Sequence, residues 1–187
     1  MNSEDLDFNG LITQMWGSEE SLQSFLDSEM PELCARVCGP DAEIPRVQIT
    51  YPSLKVVEQQ QPPEGSGEVT HYKVESDALG YRAGRKDVPA KLFVSILHAG
   101  HKEKLREFLA YLLIFHWEAL GAEGADEVDY THSFDAIIRE SSSNMSDATS
   151  KDVRSPQFLA KAAIVAREFE VPLGEFLAPK VSLNVYR

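Results

Sequence analysis

The segment from Leu105 to Leu120, LREFLAYLLIFHWEAL, limits the possible folds of this chain more than any other stretch. Its first turns mix charged and apolar residues, and its second half is apolar on nearly every side. Between Phe108 and Trp117, His116 is the one clearly polar residue. A helix that is apolar all round must be buried on most faces, and this run is shorter than the roughly 20 apolar residues that span a bilayer. We therefore predict a buried central helix in a soluble domain.

The length and composition of the chain predict a single domain over 1–187. Of its 187 residues, 43% are hydrophobic, which is enough for a sizeable core. The acidic start MNSEDLDFNG lacks the basic and apolar regions of a secretory signal. Cys34 and Cys38 stand four apart on a predicted helix, a spacing that does not suit a local disulfide. These features favour a reducing, cytoplasmic location with no membrane segment.

The N-terminal region, 1–39, predicts acidic helices. Ser18 precedes Glu19 and Glu20, a pattern typical of a helix N-cap followed by acids in the first turn. Pro31 is typical of a first helical position, so it predicts the start of a second short helix, which ends before Gly39.

The next region, 45–75, predicts a β-hairpin. Val47, Ile49 and Tyr51 alternate with polar residues, which is the pattern of a half-buried strand. The stretch 59–68, QQQPPEGSGE, predicts a flexible segment, either a long hairpin loop or a linker.

A helical core is predicted over 87–178. Asp87 suits the N-cap of a helix with Pro89 in its first turn, and Gly100 suits its end. The apolar side of that helix would consist of four residues, Leu92, Phe93, Ile96 and Leu97. The central helix follows almost at once, so the two helices should be neighbours.

The last part of the core predicts two more helices and a final strand. A short helix over 134–140 precedes the polar loop 141–150, and Ser155-Pro156 marks the start of a further helix. Alternating apolar residues over 180–187 predict a C-terminal strand. The order of elements predicts an α+β fold, in which a small antiparallel sheet packs on a mostly helical bundle around a buried central helix.

The net charge of −12 is unevenly distributed along the chain. Residues 1–45 carry ten acidic side chains and one basic one, whereas residues 72–106 carry eight basic and four acidic. An acidic protein repels phosphate, which argues against general nucleic-acid binding. The alternatives for the acidic region are a solvated surface and a face that binds a basic protein partner.

The charge pattern and the absence of a recognisable catalytic motif predict a non-catalytic, acidic protein-binding module. An inhibitor, immunity or adaptor protein has these properties. The expected contact regions are the acidic helices and the segments 59–68 and 141–150. The candidate binding residues are Glu19, Glu20, Asp27, Glu29, Glu32, Arg82, Arg85 and Lys86.

The alternative hypothesis is a metal-dependent hydrolase. His98 and His101 flank a predicted helix boundary, and His132 lies near Asp135. Imidazole and carboxylate groups of this kind bind zinc or another divalent metal, although the HExxH signature of zinc peptidases is absent. His116 lies about 22 Å along a helix from His101, so those two cannot share one metal. Without this site we expect no cofactor.

A third hypothesis is a DNA-binding regulator, because residues 163–176, AIVAREFEVPLGEF, have the outline of a helix-turn-helix. The second helix would run from Leu173 to Ala178 and would carry Glu175 as its one charge. A recognition helix needs Arg, Lys, Asn or Gln to reach the bases. We therefore favour a corner of two packed helices at this position.

Overall fold

The computed structural model describes residues 8–51, 53–60, 69–76, 80–84, 87–121 and 154–177. The helices of these ranges are α1 Phe8–Trp16, α2 Glu19–Cys38, α3 Lys102–Gly121, α4 Pro156–Glu168 and α5 Leu173–Leu177. The strands are β1 Arg46–Thr50, β2 Ser53–Gln60, β3 Val69–Ser76, β4 Gly80–Arg82 and β5 Lys91–Ser95, and a 3₁₀ turn, Ile96–His98, follows β5.

Within the acidic N-terminal region, Glu19–Cys38 forms one long helix, α2, where the sequence predicts two short ones. The Ser18 hydroxyl accepts a hydrogen bond from the Ser21 amide at 3.1 Å, as expected of an N-cap. Gly39 ends the helix and donates its N–H to the Ala35 carbonyl at 3.1 Å. Pro31 lies inside the helix, so the prediction that it starts a new one is wrong. Burial of Leu26, Met30 and Leu33 on one side holds the helix together across the proline.

The predicted α+β class is confirmed, and the sheet is mixed rather than purely antiparallel. Three strands form it in the order β1-β5-β4. β1 runs parallel to β5, with Arg46 opposite Lys91 and Thr50 opposite Ser95. β4 runs antiparallel to β5. β2 and β3 form a separate antiparallel pair, which agrees with the predicted hairpin.

β5 occupies the segment for which the sequence predicted a helix. Leu92 and Val94 are fully buried, whereas Lys91 and Phe93 are partly exposed, which is the alternation of a strand. The central position of β5 gives its backbone partners on both sides, in β1 and β4. The apolar pattern of this short segment fits both a helix and a strand, and the segment forms the strand that joins β1 to β4.

The α3 helix is buried along most of its length. It contacts α2, α4, α5, β4 and β5. Eleven of its twenty residues are buried, namely Leu105, Phe108, Leu109, Ala110, Tyr111, Leu112, Leu113, Ile114, Phe115, His116 and Ala119. At about 25 cal/mol per Å² of buried apolar area, this surface is a major source of stability for the fold.

Aromatic side chains join α3 to the two C-terminal helices. The Phe158 ring of α4 packs against Tyr111 at 5.6 Å and against Phe115 at 4.4 Å between ring centroids. Phe176 of α5 packs against Tyr111 at 5.9 Å. The Ser155 hydroxyl accepts a hydrogen bond from the Phe158 amide at 3.0 Å, which confirms the predicted helix start at Ser155-Pro156. The second helix of this corner spans Leu173–Leu177, close to the predicted range of Leu173 to Ala178.

Several predicted features lie outside the described residues. They are most of the loop 59–68, the short helix over 134–140, the polar loop 141–150 and the C-terminal strand over 180–187. Within the described ranges, no helix has the length and apolar content needed to cross a membrane.

Candidate functional site

The acidic residues predicted to bind a partner lie on different sides of α2. Glu20, Gln23 and Asp27 are spaced i, i+3 and i+7, so they share one exposed face, and Glu19 borders that face. Glu32 is five residues beyond Asp27, a rotation of about 140° around the helix axis, so it points elsewhere.

Glu29 has a structural partner within the chain. Its Oε2 lies 2.6 Å from Nε of Arg106, and the exposed fractions of the two side chains are only 23% and 34%. This ion pair connects α2 to α3. Glu29 is therefore engaged by a partner within the chain, whereas the side chains of Glu19, Glu20 and Asp27 are exposed to solvent.

The exposed face of α2 begins at a well-capped N-terminus. The Glu20 carboxylate accepts hydrogen bonds from its own backbone N–H and from Ser18, which lowers the pKa of Glu20. The Gln23 amide donates to the Asp27 carboxylate at 2.7 Å, which orients that side chain. The carboxylates at both ends of this face thus have defined positions.

An open groove of about 350 Å³ separates this face of α2 from the beginning of β1. Leu26 and Met30 form the apolar part of the helix wall, and Ile44 and Val47 face them. Further lining residues are Gln23, Asp27, Pro31, Pro45 and Arg46. Ile44 is 45% exposed, which is high for a large apolar side chain beside a groove.

Pro31 removes the usual helical donor from one backbone carbonyl on the helix wall. Because proline has no N–H, the carbonyl of Asp27 lacks the hydrogen bond that the fourth following residue normally donates. Asp27 and Pro31 both line the groove. One carbonyl of α2 beside the groove thus lacks its usual helical donor.

α2 and β1 run in opposite directions along the groove. The groove places Asp27 and Pro31 beside Ile44 and Val47. At the other end, burial raises the pKa of Tyr51, and the negative charge of nearby Glu19 raises it further. Asp27 therefore lies beside the start of β1, and the charge of Glu19 acts on Tyr51, the residue after the end of that strand.

β1 is an edge strand of the three-stranded sheet. The Arg46 N–H donates to the Ala90 carbonyl of the loop before β5 at 2.9 Å. Alternate residues of a strand direct their backbone groups to opposite sides, so Val47 and Ile49 direct theirs away from β5. Among the described strands, none pairs with this outer edge.

The basic residues predicted to bind a partner are separate from the acidic face. Arg82 lies on β4, at the opposite edge of the sheet from β1, about 10 Å away across two strand spacings. Its guanidinium lies 5.6 Å from the centre of the Phe93 ring. Arg85 and Lys86 lie outside the described residues. Arg82, the described member of the basic set, thus lies on the opposite edge of the sheet from the strand that borders the groove.

The histidines of the metal hypothesis have contrasting environments. His98 is buried and stacks on Phe108 at 4.2 Å between ring centroids, whereas His101 is exposed. Burial lowers the pKa of His98 to about 4. His132 and Asp135 lie outside the described residues, and within those described no three potential ligands converge. The metal site stays a prediction.

His116 belongs to a buried hydrogen-bond network rather than to an exposed site. Its Nε2 lies 2.7 Å from the Glu43 carbonyl, and its Nδ1 lies 3.0 Å from the Tyr81 hydroxyl. Burial lowers the pKa of His116, and the hydrogen bond to Glu43 partly opposes that effect. The histidine therefore joins α3 to β4 and to the chain segment before β1.

Both cysteines are free thiols that face the core. Cys34 donates to the Glu43 carbonyl at 3.6 Å, and Cys38 donates to the Leu113 carbonyl at 3.4 Å. The nearby Cys38 thiol lowers the pKa of Cys34, and the nearby Cys34 thiol together with burial raises the pKa of Cys38. Their described contacts are those of packing residues.

The groove was not predicted from the sequence. The strand pattern around Val47 and Ile49 was recognised, but the position of β1 at the sheet edge depends on its pairing with β5. The sequence signal of Pro31 predicts a helix start, whereas the residue lies inside α2. A proline inside a helix also signals a carbonyl without its helical donor four residues earlier, and this interpretation would have pointed to Asp27.

Comparisons of the chain with known protein families, with curated proteins and with solved structures gave no match.

Proposed function

We propose that this protein is a non-catalytic binding module that recognises a basic surface of another protein through the acidic face of α2. An inhibitor, immunity or adaptor protein would work in this way. The observation that carries the proposal is the exposed acidic set Glu19, Glu20 and Asp27 on the helix that forms one wall of an open, partly apolar groove, which Asp27 itself lines. Apolar contact supplies affinity, and surrounding carboxylates supply orientation and a fast association rate.

The charge of the chain supports the same function. A net charge of −12 attracts basic partners over distances of about 10 Å at moderate ionic strength. Ion pairs made on formation of a complex are strongest where water is partly excluded, and the groove supplies such a place beside Asp27.

Affinity capture from the native host lysate tests this function. The immobilised full-length protein should retain a partner with a stoichiometric yield, and higher salt should release it. A variant with Glu19→Lys, Glu20→Lys and Asp27→Lys should lose that partner. The salt dependence of the association rate then measures the electrostatic contribution.

The matched control reverses three exposed acids on other elements, Glu103→Lys, Glu170→Lys and Glu175→Lys. It has the same net charge as the first variant, so it separates the acidic face from general electrostatics. Retention by the control and loss by the first variant support the proposal. Equal retention by both variants, or no salt-sensitive partner for the wild type, contradicts it.

A further inference from the structure

The outer edge of β1 has hydrogen-bonding groups that the fold itself does not use within the described residues. Val47 and Ile49 direct two N–H and two C=O groups away from β5, and no described strand receives them. Proteins commonly protect such edges with lysine, proline or a covering element. Here Pro45 and Pro52 bracket the strand, but Val47 and Ile49 between them keep their donors.

The surroundings of this edge suit an extended polypeptide. The groove adjoins β1 along Ile44 to Val47, and its walls contain Leu26 and Met30. An added strand places alternate side chains on one side, which matches a narrow apolar channel beside a sheet edge. A helix has a diameter of about 10 Å and leaves the edge groups of Val47 and Ile49 unpaired.

The charges around the edge select a basic segment. Asp27 is the acidic residue and Arg46 the basic residue that line the groove. Glu19 and Glu20 lie outside the groove, nearer the N-terminus of the same helix, where their exposed carboxylates add two further negative charges. Lysine and arginine side chains have only donors, so they complement a wall of this kind.

We propose that the partner contributes an extended, lysine- or arginine-bearing segment that adds as a strand to the outer edge of β1, with its alternate apolar side chains in the groove beside α2. This inference rests on the proposed function and specifies the form of the bound segment. Backbone pairing at Val47 and Ile49 provides the affinity that does not depend on sequence. The carboxylates of α2 provide the preference for basic side chains.

A synthetic ten-residue peptide in which lysine and valine alternate is a suitable probe. It should bind the full-length protein, and a peptide in which glutamate replaces lysine should not. In a nuclear magnetic resonance titration, the amides of Val47 and Ile49 should become protected from hydrogen exchange when the lysine peptide binds. Glu19→Lys with Asp27→Lys should weaken its binding about tenfold or more.

Two N-methylated versions of the probe distinguish strand addition from charge attraction alone. One carries methyl groups on the valine amides and the other on the lysine amides. A strand pairs through one edge, on which alternate amides lie, so one of the two peptides should bind about tenfold more weakly while the other binds normally. Equal binding of both methylated peptides overturns strand addition.

A protein variant tests the same edge from the other side. Val47→Pro removes an outward N–H and leaves the hydrogen bonds to β5 in place, because prolines are tolerated at sheet edges. The folded variant should bind the probe about fivefold or more weakly. The peptide experiments answer the same question on the wild-type protein, so they decide the matter whether or not this variant folds.

The remaining outcomes are also decisive. If Val47 and Ile49 amides are already protected in the free protein, another segment of the chain or a second copy occupies the edge, and the inference is wrong. Concentration dependence of that protection identifies a second copy.

If the probe binds only through the carboxylates, the proposed function stands and strand addition fails. If the probe does not bind at millimolar concentration, strand addition by a basic segment is overturned, while lysate capture still decides the proposed function.

Discussion

The Tyr81 hydroxyl donates a hydrogen bond to Nδ1 of His116 at 3.0 Å inside the core. The direction follows from the other side of the ring, where Nε2 lies 2.7 Å from the Glu43 carbonyl. A carbonyl only accepts, so Nε2 carries the hydrogen and Nδ1 is the acceptor. Burial lowers the pKa of His116, which keeps the ring in this neutral form.

Replacement of Tyr81 by phenylalanine should lower the free energy of unfolding by about 1–3 kcal/mol, because Nδ1 of His116 would remain buried without a donor. Chemical denaturation measures this change. A double-mutant cycle with His116→Leu isolates the contact and should give a coupling of about 1 kcal/mol. A coupling near zero would show that the hydrogen bond contributes nothing to stability.

Replacement of His98 by phenylalanine should maintain or raise stability at neutral pH. Neither ring nitrogen of His98 has a hydrogen-bond partner among the described residues, and the ring stacks on Phe108. A phenylalanine keeps the stacking and removes two unsatisfied polar atoms, which cost about 1–3 kcal/mol when buried. A fall of more than about 1 kcal/mol in the free energy of unfolding would contradict this assignment.

The stability of the wild type should fall as the pH falls from 6.5 towards 4. Burial lowers the pKa of His98 from 6.5 to about 4, so the unfolded chain takes up a proton before the native protein does. At about 1.36 kcal/mol per pH unit, the contribution of His98 falls by about 2 kcal/mol between pH 6.5 and 5. Denaturation curves at several pH values should show this loss in the wild type and a smaller one in His98→Phe. A residual slope remains, since burial also lowers the pKa of His116.

Replacement of Phe158 by alanine should cost about 3–5 kcal/mol, because the ring is fully buried between Tyr111 and Phe115. Ile164 lies on the same helix and is 55% exposed, so Ile164→Ala is a matched control. Its effect should remain within about 0.5 kcal/mol. Thermal and chemical denaturation of both variants test the prediction, and similar losses would show that α4 packs differently on α3.

Replacement of Gly39 by alanine should destabilise the protein by about 1–3 kcal/mol. Gly39 has φ 115°, a conformation that a Cβ atom makes costly, and this residue ends α2. Gly121 at the end of α3 has no positive φ, and a Cβ atom added there would have no neighbour within 4 Å among the described residues. Gly121→Ala should therefore change the free energy of unfolding by less than about 0.5 kcal/mol. Equal effects in the two variants would argue against backbone strain at Gly39.

The sequence alone determined the features whose physical signal is local. The apolar run in α3 required burial, since apolar side chains cover nearly every side of the helix along that run. Ser18 and Ser155 marked helix starts, because their hydroxyls accept hydrogen bonds from amides of the first turn. The acidic character of α2 was also evident from composition.

Only the tertiary structure decided the features that depend on distant neighbours. β5 is a strand because β1 and β4 pair with it on both sides, which outweighs a short apolar pattern that also fits a helix. α2 continues through Pro31 because burial of its apolar side compensates one lost hydrogen bond. The groove beside β1 and the place of β1 at the edge of the described sheet depend on the pairing of Arg46 with Ala90, a contact between residues 44 positions apart. Local propensity cannot encode such a contact, since its free energy comes from the packing of the whole core.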